Sequence, residues 1–303
     1  MHGTQFDARD RASTPPASVA MPRLTSRGTR DARIVAEECP VALVYDGTTI
    51  AVLMASPADL TDLARGFSLT EGIIGDIGEI EELTVVPGPD GIELRLWLRP
   101  DAGRQLKERR RQLVGPTGCG LCGIDSLREA SRTIRTVGHP TGLTPDQIGM
   151  AISWLTELQT LNHATHATHA AGFFAPDSET MTVREDVGRH NALDKLAGAL
   201  AVGGISGSAG AVILTSRISV EMVQKTAAID AGVIVGMSAP TALAVRTAQA
   251  SGITLVGIAR ASEFEIFSHP ARICGLRRPD GREASQASSG LPGSPQRAAY
   301  SDR

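Results

Sequence analysis

The stretch GAVILTSRISVEMVQKTAAIDAGVIVGMS, residues 210–238, decides the fold class. It begins with a continuous apolar run at 211–214 and ends with another at 233–236. The segment between the two runs carries apolar residues at helical spacing and closes on Gly232. Short runs that are apolar throughout are typical of strands buried on both faces, as in parallel sheets. The stretch therefore predicts a strand–helix–strand unit.

The same alternation continues outward on both sides. The series includes the apolar runs 180–183 and 253–260 and the helical segments 188–200 and 241–252. Upstream, Thr144–Gln147 reads T-P-D-Q, a capping box that predicts a helix start. The buried stripe expected of that helix is Ile148, Ala151, Ile152, Leu155 and Leu158. Residues 144–277 are thus predicted to form an α/β domain whose mostly parallel sheet is covered on both faces.

The first half has a different pattern. Two pairs of apolar runs, at 39–55 and 80–98, are each joined by a short turn containing Asp and Gly, which predicts two hairpins. Between them, Ser56 suits a helix N-cap and Pro57 the first helical position. We predict a smaller α+β domain over residues 31–115, followed by a cysteine-containing loop and connector over 116–143.

Composition limits the class of protein. The chain has 303 residues, with 42% hydrophobic, 21% charged and 3% aromatic residues, and a net charge of −3. The polar segments 1–30 and 278–303 are predicted to be disordered tails. The low aromatic content and absent basic field argue against a nucleic-acid partner. No apolar stretch reaches the ~20 residues of a membrane span, and the N-terminus lacks a signal-peptide core. We expect a cytoplasmic protein with no membrane partner.

A glycine-rich loop, GPTGCGLCG at 115–123, carries Cys119 and Cys122. A zinc knuckle needs two more ligands, for which His163, His166 and His169 are the candidates. The chain contains no H-x-E motif, which excludes the zinc site of nucleobase deaminases. A structural disulfide between these cysteines would close a very small loop and stabilise the fold little. A glycine-rich loop is also a poor way to hold the fixed geometry of a redox dithiol. Glycine does let a thiolate reach a partner's persulfide and pass the sulfur on. The loop therefore favours a sulfur carrier, with zinc as the alternative.

Polar turns follow three of the predicted strands. They are Thr215–Ser219, Ser238–Thr241 and Ala259–Glu263. In open α/β sheets ligands bind at the carboxyl ends of strands, and helix N-termini favour phosphate. Arg217 and Arg260 add positive charge. Either ordinary helix capping or a site for a phosphate-bearing ligand explains these turns.

The richest polar cluster is REDVGRHNALDK, residues 184–195, at a strand-to-helix junction. His190 and Asp194 lie one helical turn apart within it, so that Asp194 is placed to orient the imidazole. This density of charge predicts a site or an interface rather than a solvated helix face.

Taken together, these motifs resemble the FdhD/NarQ family, the formate dehydrogenase accessory sulfurtransferases. The resemblance covers about Glu37 to Arg272. It rests on VALVYDG, MASPADL, ARGFSLTEGII, KERRR, GPTGCGLCG, THAA, EDVGRHNALDKL, SRISVEMVQKTA, SAPTALAV, ITLVGIAR and FSHP, in that order.

The resemblance implies a sulfur carrier that takes sulfur, as a cysteine persulfide, from a cysteine desulfurase. The sulfur then passes to the molybdenum cofactor, bis(molybdopterin guanine dinucleotide), before that cofactor enters formate dehydrogenase. A homodimer is implied, with a cytidine-deaminase-like main domain and no metal of its own. The runner-up function is a non-catalytic zinc- or cofactor-binding chaperone for a metalloenzyme.

The family's functional positions map onto two segments. Cys119 matches the persulfide-forming cysteine, and Cys122 matches the second cysteine. The segment assigned to cofactor binding corresponds to Ile258, Ala259, Arg260, Ala261, Ser262 and Glu263. Two departures stand out: Thr165-His166-Ala167 replaces the usual glycines, and the cofactor segment has no glycine.

Overall fold

The computed structural model describes residues 13–104, 106, 136–138 and 142–276. Its strands are β1 Ser18–Leu24, β2 Arg30–Ala36, β3 Cys39–Tyr45, β4 Thr48–Ala55, β5 Ile80–Gly88, β6 Gly91–Leu98, β7 His169–Ala175, β8 Thr180–Asp186, β9 Ala211–Leu214, β10 Val233–Gly236, β11 Thr254–Gly257 and β12 Glu265–Ser268. Its α-helices are α1 Leu60–Thr70, α2 Pro145–Glu157, α3 Thr160–Thr165, α4 Arg189–Val202, α5 Val220–Ala228 and α6 Ala242–Ser251. Short 3-10 helices lie at Ile77–Glu79, Gly207–Ala209 and Pro270–Arg272.

The second half is built on a six-stranded sheet in the order β12-β11-β10-β9-β7-β8. The predicted α/β class is confirmed, and β9, β10 and β11 are parallel. The prediction of a mostly parallel sheet is wrong, because the other three pairings are antiparallel. A parallel connection needs a crossover of a dozen or more residues. Only short turns join β7 to β8 and β11 to β12, so these pairs form hairpins.

Helices cover both faces of this sheet. Alternate residues of β9 point to opposite faces. Val212 packs in one buried cluster with residues of α4, α5 and α6, and Ile213 packs in another with residues of α2. The capping box at Thr144 is present, but Leu158, predicted in the buried stripe, follows the end of α2 and is 47% exposed.

The first half contains a four-stranded sheet in the order β4-β3-β6-β5, and α1 packs on its buried face. Both predicted hairpins are confirmed. The predicted helix start is wrong: α1 begins at Leu60, after Asp59 in a left-handed conformation. Ser56 is fully buried instead, because its polar groups bond to the second half of the chain.

Strands β1 and β2 form a separate antiparallel ribbon. The prediction of a disordered tail over residues 1–30 is therefore wrong from Ser18 onward, and the ribbon crosses the predicted boundary at residue 31. The polar composition of this segment does match the exposure of its side chains, most of which face solvent. It does not report disorder here, because the two strands pair along their backbones and an exposed Arg23–Asp31 ion pair joins them (2.6 Å).

The two halves meet where α1 crosses α4. A Cβ on Gly66 of α1 would collide with the carbonyl oxygen of Asp194 in α4. A Cβ on Gly198 of α4 would collide with the carbonyl oxygen of Asp62. The helices thus touch backbone to backbone, which only glycine permits. This contact fixes the position of the first half against the sheet of the second.

Candidate functional site

The strand-end turns meet at one edge of the six-stranded sheet, which we call the carboxyl edge. Strands β9, β10 and β11 all end there, and α5 and α6 begin there. Strand β8 also ends there, because β8 and β9 are each antiparallel to β7. The start of α4 therefore joins the same edge. Hydrogen bonds connect the turns: Thr241 N–H donates to Ile218 O (3.0 Å), and Ile258 N–H donates to Ser238 O (3.2 Å).

The predicted cofactor segment, residues 258–263, forms a tight turn after β11. Ile258 is 40% exposed and has a φ of 52°, a left-handed conformation that is costly for a β-branched residue. Arg260 N–H donates to Glu263 O at 2.7 Å and closes the turn. Nη1 of Arg260 donates to the carbonyl of Ala259 at 2.8 Å and to that of Met237. The segment is thereby held against the turn after β10.

A cavity of about 1140 Å³ lies beside this segment. Ile258, Ser262 and Glu263 line it together with the N-terminus of α2, the first residues of β12 and Cys274. Three of the six predicted cofactor-binding residues thus face one cavity. The thiol of Cys274 is free and exposed.

The predicted polar cluster at 184–195 is largely internal. Nζ of Lys195 lies 2.6 Å from Oδ2 of Asp186, and both side chains are 0% exposed. The same ammonium donates to Ser56 O at 3.0 Å, while Ser56 N–H donates to Asp186 at 3.0 Å. Because Ser56 belongs to the first half, this part of the cluster is an interface inside the chain.

In the part of the chain that the structure describes, Asp194 makes no hydrogen bond to His190. Its carboxylate accepts from Oγ1 of Thr70 (2.6 Å) and from Nζ of Lys225 (2.9 and 3.1 Å). Burial acts to lower the pKa of Lys225, but Asp194 and Glu71 outweigh it and raise that pKa. The predicted orienting contact to His190 is therefore wrong, and Asp194 joins α4 to α1 and α5 instead.

Sequence reasoning missed three residues of this internal interface: Ser56, Thr70 and Lys225. Each looks ordinary locally, as a residue after a strand or within a helix. Three bonds of this interface join residues far apart in the sequence: Thr70–Asp194, Ser56–Asp186 and Lys225–Thr70 span 124, 130 and 155 residues. One signal was the position of Lys225, which follows Met222 by three residues and so places a charged side chain on the apolar side of α5.

Two histidines lie at the carboxyl edge near the start of α4. Burial lowers the pKa of His169 and of His190, and the positive charge of Arg189 adds to both shifts. Histidine has an ordinary pKa near 6.5. Both imidazoles are therefore mainly neutral at neutral pH.

The predicted sulfur and metal sites are only partly described. Cys119 and Cys122 lie outside the described residues. His163 and His166 are exposed, while His169 begins β7. Within the described ranges, no three His, Cys, Asp or Glu residues are grouped to hold a metal ion. In those ranges, too, no helix has the length and apolar character to span a membrane.

Comparisons with known proteins agree on one family. The model of the FdhD/NarQ family matches residues 36–274. A protein of Agrobacterium fabrum named sulfur carrier protein FdhD is 50% identical over 242 residues, which is 80% of this chain and 89% of that protein. The Cupriavidus necator protein of the same name is 50% identical over 79% of this chain and 83% of its own length. A crystal structure described as a formate dehydrogenase accessory protein of Desulfotalea psychrophila has a TM-score of 0.67 and 26% identity. It aligns over 85% of this chain and all of its own.

Proposed function

This chain belongs to the FdhD/NarQ family, and we propose that it is a sulfur carrier needed for formate dehydrogenase activity. The observation that carries the proposal is the family match over residues 36–274, a range that contains the cysteine pair. Relatives named sulfur carrier protein FdhD share half of their aligned residues with this chain.

The proposed chemistry begins at Cys119. Its thiolate attacks the outer sulfur of a persulfide on a cysteine desulfurase. The donor's S–S bond breaks, the donor cysteine leaves as a thiolate, and Cys119 becomes a persulfide. Once the sulfur acceptor is bound, attack of the Cys122 thiolate on Sγ of Cys119 releases hydrosulfide and leaves a Cys119–Cys122 disulfide. This second step supplies both electrons for sulfide delivery, and a cellular dithiol reductant restores the pair.

The proposed sulfur acceptor is bis(molybdopterin guanine dinucleotide) molybdenum cofactor, bound as a substrate at the carboxyl edge. The meeting of three strand-end turns there supports this placement, as does the cavity beside residues 258–263. The proposal further includes a homodimer, a cytoplasmic location, and formate dehydrogenase as the recipient of the loaded cofactor.

Arg260 tests the binding segment. We expect Arg260→Ala to weaken binding of GDP, used as a probe for the guanine nucleotide arm, by roughly 10- to 150-fold, the equivalent of about 1.5–3 kcal/mol for a charge-assisted bond. Isothermal titration calorimetry measures the affinity. Arg246→Ala, at an exposed position on α6, is the matched control. Equal GDP affinity in wild type and Arg260→Ala would place the nucleotide elsewhere.

Intact-mass analysis after incubation with a cysteine desulfurase and cysteine tests the function itself. Wild-type protein should gain one sulfur atom that dithiothreitol removes, and Cys119→Ala should not. Cys122→Ala should still load sulfur, because in the proposed sequence it acts only in release. Cys274→Ala is the control, since that thiol is free and exposed but lies outside the pair.

The outcomes separate the alternatives. Loading that survives Cys119→Ala but is lost in Cys122→Ala would reverse the roles of the two cysteines. Loading that neither change affects would refute the carrier function. Absent loading, combined with stoichiometric zinc that is lost in Cys122→Ala, would instead support a metal-binding chaperone.

A further inference from the structure

The β1–β2 ribbon presents an apolar face that the rest of the described chain leaves exposed. Residues paired across two strands share a face, as does every second residue along a strand. The register pairs Ala20 with Ile34 and Pro22 with Ala32, and Leu24 continues the same face toward the tip. All five residues are exposed, Leu24 at 63% and Ile34 at 42%. We call this surface the apolar face of the ribbon.

The opposite face of the ribbon is more polar. It carries the Arg23–Asp31 ion pair, and Met21 lies opposite Arg33 there. An alternation of apolar and polar faces is the pattern of antiparallel strands that bury one face. A two-stranded ribbon is at best marginally stable alone and gains stability by packing its apolar face against another surface. The exposed apolar face therefore indicates a contact that a single copy of the chain does not make.

A second exposed apolar surface lies on the four-stranded sheet, on the side away from α1. Val52 and Met54 of β4 and Trp97 of β6 are 62%, 50% and 48% exposed. Their neighbours along the strands, Leu53 and Leu96, pack in the core cluster that includes α1, so the three exposed side chains point to the other side. A cavity of about 310 Å³ opens beside Trp97. We call this surface the outer sheet face.

The two surfaces also carry opposite charges at their borders. The tip of the ribbon is basic, because Arg27 and Arg30 are exposed there and Arg30 shares the apolar face. The outer sheet face has an acidic border: Glu82 lies opposite Trp97 in the β5–β6 register, Glu81 precedes it, and both are exposed. Opposite charges around two apolar surfaces orient their association and raise its rate. The ribbon and the outer sheet face are thus complementary in apolar character and in charge.

We propose that the apolar face of the ribbon packs on the outer sheet face of a second copy of this chain, with the two copies exchanging ribbons about a two-fold axis. Seven residues per strand make the ribbon about 24 Å long and about 10 Å wide. One contact therefore covers a footprint of about 240 Å², which is too small for a specific interface. Two-fold symmetry repeats the contact, and the four buried surfaces together reach about 1,000 Å², the lower end for a specific dimer. The inference names a surface for the homodimer of the proposed function and rests on that part of it.

Three observations favour a second copy over a segment of the same chain. Both surfaces are exposed within one copy, so the ribbon does not cover the sheet to which it is attached. The terminal segments have few large apolar residues with which to cover it: Met1 and Phe6 in 1–12, and Leu291 and Tyr300 in 277–303. A pair of complementary surfaces on one chain is also what a two-fold dimer requires, since each copy then supplies both partners of the contact.

Sedimentation velocity over a dilution series of the full chain tests the ribbon. We expect Leu24→Gln/Ile34→Gln to weaken dimerisation by at least about 100-fold, because four apolar side chains per dimer lose a favourable burial. Both positions are exposed in a single copy, so the monomer should keep its fold, which circular dichroism and thermal melts check. Met21→Gln is the matched control, because Met21 is 51% exposed on the opposite face of the same ribbon.

A second set of variants tests the outer sheet face. Val52→Gln/Met54→Gln should weaken dimerisation by a similar factor, whereas Val202→Gln, at a position 55% exposed at the end of α4, should leave it unchanged. Arg30→Glu should weaken dimerisation by about 10-fold, because it places like charges at the border of both contacts. Adding Glu82→Arg to Arg30→Glu should restore most of that loss, since the exchange of charges rebuilds the opposite pair.

A wild-type dimer that dissociates in the ribbon and sheet variants, but not in the two controls, supports the proposal. A monomeric wild type overturns it, and so does a dimer that Leu24→Gln/Ile34→Gln leaves intact. Loss of the dimer in the ribbon variant alone would refute the sheet as the receiving surface. A ribbon variant that stays dimeric but no longer binds a cysteine desulfurase would assign the ribbon to that partner instead. Normal sulfur loading on Cys119 in a monomeric protein would refute this surface and leave the carrier function standing, and ribbon-dependent dimerisation without sulfur loading would do the reverse.

Discussion

The buried ion pair between Lys195 and Asp186 should be among the most sensitive points of the fold. Both side chains are 0% exposed and their charged atoms lie 2.6 Å apart. Lys195 also donates to the carbonyls of Ser56 and Glu185, at 3.0 and 3.3 Å. The replacement Lys195→Met keeps the length of the side chain but removes the charge and these three polar contacts.

The expected loss of folding free energy depends on the charge of Asp186, which stays buried after the substitution. Asp186 would keep its hydrogen bonds from backbone N–H groups and from Asn191 but would lose the ammonium countercharge that lies 2.6 Å away. Breaking a buried pair by removing one partner costs about 3–5 kcal/mol, because an uncompensated charge stays in the interior. We therefore expect the free energy of unfolding of Lys195→Met to fall by that amount. Asp186→Asn should have a similar cost.

The double variant Lys195→Met/Asp186→Asn distinguishes an ion pair from general packing. Its cost should be smaller than the sum of the single costs by about 0.5–3 kcal/mol, the usual coupling for residues in contact. Urea unfolding followed by tryptophan fluorescence supplies the measurement. Trp97 lies in the first half and Trp154 in the second, so single-tryptophan variants report each half separately. A loss below about 1 kcal/mol in Lys195→Met, or strictly additive costs, would refute the reasoning.

Two further predictions concern packing and pH. Gly66→Ala should lower the free energy of unfolding by about 1–3 kcal/mol, because its methyl group would collide with the backbone of α4, whereas Gly138→Ala, in open space, should change it by less than about 0.5 kcal/mol. Urea midpoints that match for the two variants would contradict the close helix crossing. Stability should also fall as pH is lowered from about 7.5 to 5.5, because His169 and His190 have lowered pKa values in the folded protein and the unfolded chain binds protons first. Thermal melts across this pH range measure the effect. The melting temperature of a double His169→Gln/His190→Gln variant should depend less steeply on pH than that of wild type, and an unchanged dependence would mean that other groups cause it.

Local structure followed from the sequence wherever adjacent residues carry the physical cause. The apolar runs that became β9, β10 and β11, the capping box at Thr144 and the two hairpins of the first half are all such features. Each depends on side-chain periodicity or turn chemistry within about 15 residues. The resemblance to the FdhD/NarQ family also follows from the order of its motifs, which the family match confirms.

The tertiary structure alone decided which distant residues meet. The charged cluster at 184–195 has the same sequence whether it faces solvent or the chain's interior. Only the crossing of α1 over α4 brings Ser56 to Asp186 and Thr70 to Asp194. Likewise, the direction of β7 relative to β9, and with it the arrangement of the carboxyl edge, depends on which strands become neighbours. These pairings are set by the burial of whole faces across more than a hundred residues, and a local pattern does not encode that choice.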